Sequence, residues 1–201
     1  GLSCRGLTLN DVILSRLEQE YLVRVVEAIA QVRDPRQFFL WAQGQLQGLL
    51  PHRVLLCMEY GPEEELRRLE CIHGAVLEEA ALRRLTDPAN GLAVQVARAC
   101  REGWRLPAMA PAARGVPPPL VHELERSGFS NMLVHGSGPL AGGSSLFILL
   151  DLPMRPGPRH AYFMELALPH LHFALMRMSR REPLRGRHGG AGIARALSAR
   201  E

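Results

Sequence analysis

Two short apolar runs, RVLLCMEY (53–60) and SSLFILLD (144–151), constrain the fold more than anything else in the chain. Each is fenced by residues that break regular structure. Pro51 and Gly61-Pro62 bound the first, and the flexible stretch GSGPLAGG (136–143) precedes the second. An apolar run of this length between such breakers reads as a buried strand. ELRRLECIH (65–73) follows the first run closely enough to form a hairpin with it, and SNMLVHG (130–136) is expected to pair with the second.

Helical periodicity fills the intervals. Leu14, Leu17, Tyr21, Val25, Ile29 and Val32 recur every three to four residues, predicting a first helix capped by Asn10 or Asp11 and running to about Val32. Asp34-Pro35, an N-cap followed by proline at the first helical position, starts a second helix that carries Phe38, Phe39, Trp41, Leu46, Leu49 and Leu50 to Pro51. Residues 76–85 and 88–101 predict two short helices divided by Asp87-Pro88, and 119–127 predicts another that ends at Gly128. Residues 103–119 are proline-rich and without period, hence a long loop. The last helix spans about 158–180, with a kink expected at Pro169. The order α-α-β-β-α-α-α-β-β-α implies an α/β (α+β) fold. Its expected form is a GAF/PAS-like α-β-α sandwich with a central antiparallel sheet flanked by helices.

The last helix is apolar on two sides. Phe163, Leu166, His170 and Phe173 lie along one, and Met164, Leu168, Leu171, Leu175 and Met178 along another. Such a helix needs covering on both. The sheet supplies one cover; the first helix or a twin subunit supplies the second. Leu168, Leu171, Leu175 and Met178 are the candidate dimer contacts.

Charge is unevenly placed. All 24 basic residues are arginines. From Arg177 onward seven of them face only Glu182 and Glu201, a net of +5, whereas residues 1–176 carry −1. A basic tail on a neutral body suits a neighbouring polyanion such as DNA, or is simply a solvated linker. The tail closes on LSARE (197–201), where Ser198 and Glu201 have the spacing of a capping box, the opening of a helix that needs further turns to be stable. The expected organisation is a regulatory domain over 1–180, a Gly/Arg-rich linker over 181–196 and the first residues of a second domain at 197–201. No apolar run reaches the roughly 18 residues of a membrane span, and no signal-peptide layout opens the chain. A cytoplasmic protein is expected, with no membrane partner.

The usual carriers of catalysis do not occur: there is no Gly-rich phosphate loop, no H-E-x-x-H and no G-x-S-x-G. Cys4, Cys57, Cys71 and Cys100 have no C-x-x-C spacing, and Cys57 reads as a small core residue. Cys71 and His73 share a strand face, but two ligands make no metal site. His170 and His172 face away from one another on their helix, and His52 sits at a helix end. No catalytic residue, metal or cofactor is expected, and the chain is not expected to be an enzyme. A small-molecule pocket is the better candidate, lined by Trp41, Cys57, Tyr60, Trp104, Met132 and His135 between the sheet and the 103–119 loop. Core packing is the competing role of each.

Three segments together carry a resemblance: FFLWAQGQLQGLLPHRVLLC (38–57), NMLVHGSGPLAGGSSLFILLD (131–151) and LALPHLHFALMRM (166–178). They resemble the N-terminal domain of LuxR-type transcriptional regulators, in particular the exosortase-associated exopolysaccharide regulators known as EpsA. In that family a helix-turn-helix follows, opening with Leu-[Ser/Thr]-x-Arg-Glu, and Leu197, Ser198, Arg200 and Glu201 match it. The resemblance implies a homodimer that binds promoter DNA through the absent helix-turn-helix and tunes exopolysaccharide genes. It also implies a possible small-molecule effector. The lactone-binding branch of the family uses a set of Trp, Tyr and Asp residues; Asp87-Pro88 resembles its Asp-Pro pair, and the rest of the set has no counterpart here. The competing reading is a GAF-like small-molecule sensor with a different output, such as a kinase or a cyclic-nucleotide enzyme. A metal- or thiol-dependent enzyme is a third.

Overall fold

The computed structural model describes residues 12–102, 106–111, 116–137, 143–181 and 193–198. In chain order the elements are α1 (Arg16–Ala30), α2 (Pro35–Gln43), α3 (Gln45–Leu49), β1 (Val54–Tyr60), β2 (Leu66–His73), α4 (Glu79–Thr86), α5 (Leu92–Glu102), β3 (Ala108–Ala110), α6 (Pro118–Arg126), β4 (Met132–Gly136), β5 (Ser144–Leu150), α7 (Pro158–Arg181) and β6 (Ile193–Ser198). They build an α+β sandwich. The sheet has the order β3-β4-β5-β1-β2-β6, antiparallel from β3 to β2, with β6 parallel to β2.

Both apolar runs become interior strands, and every residue of β1 is buried. A strand buried on both faces needs a helical layer on each. One layer is α1, α2, α3 and α7, packed on Leu55, Ile72, Leu133, Phe147 and Leu149. The other is α4, α5 and α6, packed on Val54, Leu56, Met58, Leu69, Met132, Val134 and Ile148. Alternation along each strand thus feeds two separate cores.

Helix ends follow local chemistry. The expected caps Asn10 and Asp11 lie outside the described residues; α1 begins at Arg16, because Ser15 and Glu18 form a complete capping box: Glu18 N–H donates to Ser15 Oγ (3.2 Å) and Ser15 N–H to Glu18 Oε1 (3.1 Å). Asp34 caps α2 as expected, accepting from Gln37 N–H at 2.8 Å. The single helix expected from Pro35 to Pro51 is two. Gly44, at φ −102° and ψ −93°, leaves helical geometry between α2 and α3. α6 ends as predicted at Gly128, whose φ of +87° allows Phe129 N–H to reach back to Leu124 O at 3.0 Å.

Two strands went unseen in the sequence. Ala108–Ala110 lies within the expected loop and pairs with β4; Pro111 pushes Ala110 towards extended geometry. β6 lies within the expected linker and reaches into the expected start of a second domain. Glu201, and with it the Ser198–Glu201 box, falls outside the described residues. β5 runs antiparallel to β1 and β1 antiparallel to β2, so β5 and β6 point the same way. Same-sense strands in one sheet need a long crossover, usually a helix. α7 is that crossover, carrying the chain from β5 over β1 and β2. It is one helix through Pro169, which sits on its exposed side.

Candidate functional site beneath the last helix

The sheet face under α7 changes chemistry row by row. Leu133, Leu149, Leu55 and Ile72 stand in one cross-strand row, and all are apolar. The next row is mixed: His135, Phe147, Cys57 and Glu70. The third, Ser145, Glu59 and Arg68, is wholly polar, and Ser137 joins it by donating its N–H to Ser145 O at 3.0 Å. Glu59, Arg68, Glu70, His135 and Ser145 are all buried.

α7 answers with polar side chains of its own. Glu165, His172 and Ser179 are seven residues apart, which returns each to the same side of a helix. Each meets a different strand. Glu165 bonds His135 Nε2 of β4. His172 Nδ1 lies 2.7 Å from Ser145 Oγ of β5 and 3.4 Å from Ser137 Oγ. Ser179 Oγ donates to Glu59 of β1 and accepts from an Arg68 guanidinium N–H of β2 at 3.2 Å. Arg68 Nε in turn pairs with Glu70 Oε1 at 3.0 Å. The three contacts step from β4 to β5 to β1 and β2, tracing the diagonal on which α7 crosses the sheet.

Buried polar groups cost free energy unless they are bonded, and a buried charge more so. Bonded in this way, they hold the helix to one register, because any sliding of α7 would strand them. Burial lowers the His172 pKa from its ordinary value, while the Glu59 carboxylate pulls the other way. Ser145 and His172 have the spacing of a nucleophile and its base. However, Ser145 is 2% exposed, leaving its Oγ no path to a substrate carbonyl.

The sheet divides the sequence-derived pocket set. Tyr60 and Met132 lie in the core under α4, α5 and α6; Trp41 and Cys57 lie in the opposite core, and His135 lies on that same face. The five therefore line no common cavity. Trp104 falls outside the described residues. Trp41 fastens α2 to α1, its indole N–H donating to Val25 O at 3.1 Å. Burial raises the Cys57 thiol pKa well above the ordinary value and pushes those of Cys71 and Cys100 up to about 12, so none of the three is a ready thiolate. Among the described residues no group of three or more His, Cys, Asp or Glu is placed to hold a metal ion, and none of the helices is long and apolar enough to cross a membrane.

The candidate dimer contacts also move. Leu171, Leu175 and Met178 are buried in the chain's own core, and Leu168 packs against it half-buried. They cannot be the surface that meets a second subunit. Among the described residues of α7, Phe173 is an exposed large hydrophobic side chain. α1 runs beside α7 in the same direction: Arg159 pairs with Glu18 near the start of both helices, and Arg177 donates to Ile29 O at 2.9 Å near their ends. Leu17 and Val23 of α1 are exposed as well. The polar row was missed because Glu59 sits in an otherwise apolar run and Glu70 in a strand whose other charges, Arg67 and Arg68, suggest an exposed face. The seven-residue spacing of Glu165, His172 and Ser179 was the signal that could have found it.

No family model matches the chain and no curated protein sequence matches it significantly. Solved structures do. The N-acylhomoserine lactone-dependent LuxR family transcription factor CepR2 of Burkholderia cenocepacia is similar with a TM-score of 0.54 at 12% identity, over 81% of this chain and 99% of that one. The phycoerythrobilin-bound GAF domain of a cyanobacterial phytochrome is similar with a TM-score of 0.52 at 14% identity, over 83% and 97%. What this chain shares with both is the fold, a GAF-like α+β sandwich.

Proposed function

We propose that this chain is the regulatory domain of a LuxR-type DNA-binding transcriptional regulator, with exopolysaccharide biosynthesis genes among its targets. Residues 1–180 are its sensing body, and 197–201 the first residues of a helix-turn-helix domain. The observation that carries the reading is the seam under α7. A helix pinned to four strands at three points turns any rearrangement of the sheet into a movement of its own C-terminal end. The three quoted segments and the LSARE opening, at residues 197–201, support the family assignment. The similarity of fold to CepR2 is consistent with it. The protein acts as a homodimer through the exposed faces of α1 and α7, where Leu17, Val23 and Phe173 lie. A small-molecule effector acts on the body.

The test is the gene product carried past Glu201. A longer chain that binds the promoter of exopolysaccharide biosynthesis genes, while the 201-residue chain does not, supports the assignment. A longer chain with no helix-turn-helix pattern and no promoter binding overturns it. The similarity to a GAF domain, nearly as close in TM-score, favours a second reading in which the same body drives a different output domain. The residues after Glu201 distinguish the two.

A further inference from the structure

β6 is the last described element, and it lies on the edge of the sheet. It pairs in parallel with β2, from Arg68 opposite Ile193 to His73 opposite Ser198. Its first residue stands opposite the arginine that α7 grips through Ser179. α7 therefore holds Arg68 by its side chain while β6 stands against the backbone of the same residue, and that side chain is buried and paired with Glu70. β6 itself is added to β2 by backbone pairing, as a peptide adds to an exposed edge.

We propose that Ile193–Ser198 is a detachable strap: docked on β2, it fixes where the chain beyond Ser198 leaves the sheet, and the Glu59–Ser179–Arg68–Glu70 contacts decide whether it stays docked. When α7 shifts along its diagonal, Ser179 leaves Arg68, the register point of β6 is lost and the strap comes away. An edge strand held by one ladder opens at lower free energy than the interior strands do. The bonded arginine beneath the helix thus converts a small displacement of α7 into release of a six-residue segment. The proposal rests on the regulatory reading only for the purpose of that release; docking and its control are tested without it.

The register supplies the probe. Cys71 stands directly opposite Ala196, and adjacent strands lie about 4.8 Å apart, within the roughly 4.4–6.8 Å that a disulfide spans between Cα atoms. Ala196→Cys in the full 201-residue chain is expected to form a disulfide with Cys71 under prolonged copper–phenanthroline oxidation, slowly because burial holds the Cys71 thiol protonated, and mapped by mass spectrometry. Leu197→Cys, one register position away and on the other face, is not. Ser179→Ala is then expected to slow the 71–196 cross-link about tenfold. It should also speed hydrogen exchange of the 193–198 amides about tenfold while leaving β1 and β5 protected. Ile193→Pro, which acts only at the edge, is expected to expose the outer amides of β2 and spare the helices. Exchange of the 193–198 amides in the wild-type chain as fast as an unpaired segment, or equal cross-linking of Ala196→Cys and Leu197→Cys, overturns the docking. Cross-linking and exchange unchanged by Ser179→Ala overturn the control by α7.

Discussion

His52 is buried at the turn between α3 and β1, its ring held from both sides. Nδ1 lies 2.6 Å from Leu50 O, which can only accept, so Nδ1 carries the proton. Nε2 faces the amide nitrogen of Gln47 at 3.3 Å, a donor, so Nε2 is bare and the ring neutral. Burial lowers the His52 pKa from 6.5 to about 4. A folded-state value below the unfolded one means that stability is full above about pH 6.5 and is lost as pH falls towards 4. The cost reaches about 3 kcal/mol at the lower end. Urea midpoints at pH 7 and pH 4 should therefore draw closer together in His52→Gln than in the wild-type chain. Ser145→Ala is expected to cost about 1–3 kcal/mol, because it removes the nearer partner of the buried His172 Nδ1; urea unfolding at pH 7 measures it. At this scale the sequence is least legible. Glu70 shares its strand face with Arg68 and looks like the polar half of an alternating strand, and only the position of α7 shows that this side is covered too. His172 was correctly set apart from His170, yet a lone histidine in an apolar helix does not announce its serine partner on a distant strand.

α7 has an inner face that the sheet occupies and an outer face that it does not. Leu175 is on the inner one and fully buried. Leu175→Ala is expected to cost about 2–5 kcal/mol in urea unfolding through the cavity it leaves. Phe173→Ser, on the outer side, should change stability by no more than about 0.5 kcal/mol and weaken self-association seen by sedimentation; unaltered sedimentation would place the dimer contact elsewhere. The contrast reverses the sequence expectation, which named Leu168, Leu171, Leu175 and Met178 as candidate subunit contacts; the last three are buried and Leu168 packs half-buried against the core. Apolar periodicity reveals that a helix has two greasy sides but not which one the sheet takes. Elements with strong local signals were legible: both interior strands, Asp34-Pro35, and the stop at Gly128. Those whose existence depends on a partner were not. β3 has three residues and needs β4 beside it, and β6 needs the edge of β2.

Across the whole molecule, the sheet is a wall between two cores, and that wall explains why the expected cavity does not assemble. Tyr60 and Met132 share one side, Trp41, Cys57 and His135 the other, a partition set by strand alternation and register that composition does not reveal. The layered architecture itself followed from the order of helices and paired runs, since two-sided burial of β1 demands helices on both faces. An effector bound to the body should raise the melting temperature; a flat thermal-shift response across a lactone and nucleotide panel would count against one. Where β6 docks has a practical side too. A shortened protein ending at Arg181 would leave the outer rim of β2 bare, without its neighbouring strand from Arg68 to His73. Bare rims of this kind recruit strands from neighbouring molecules, so such a fragment should clump at concentrations where the 201-residue chain stays clear by light scattering.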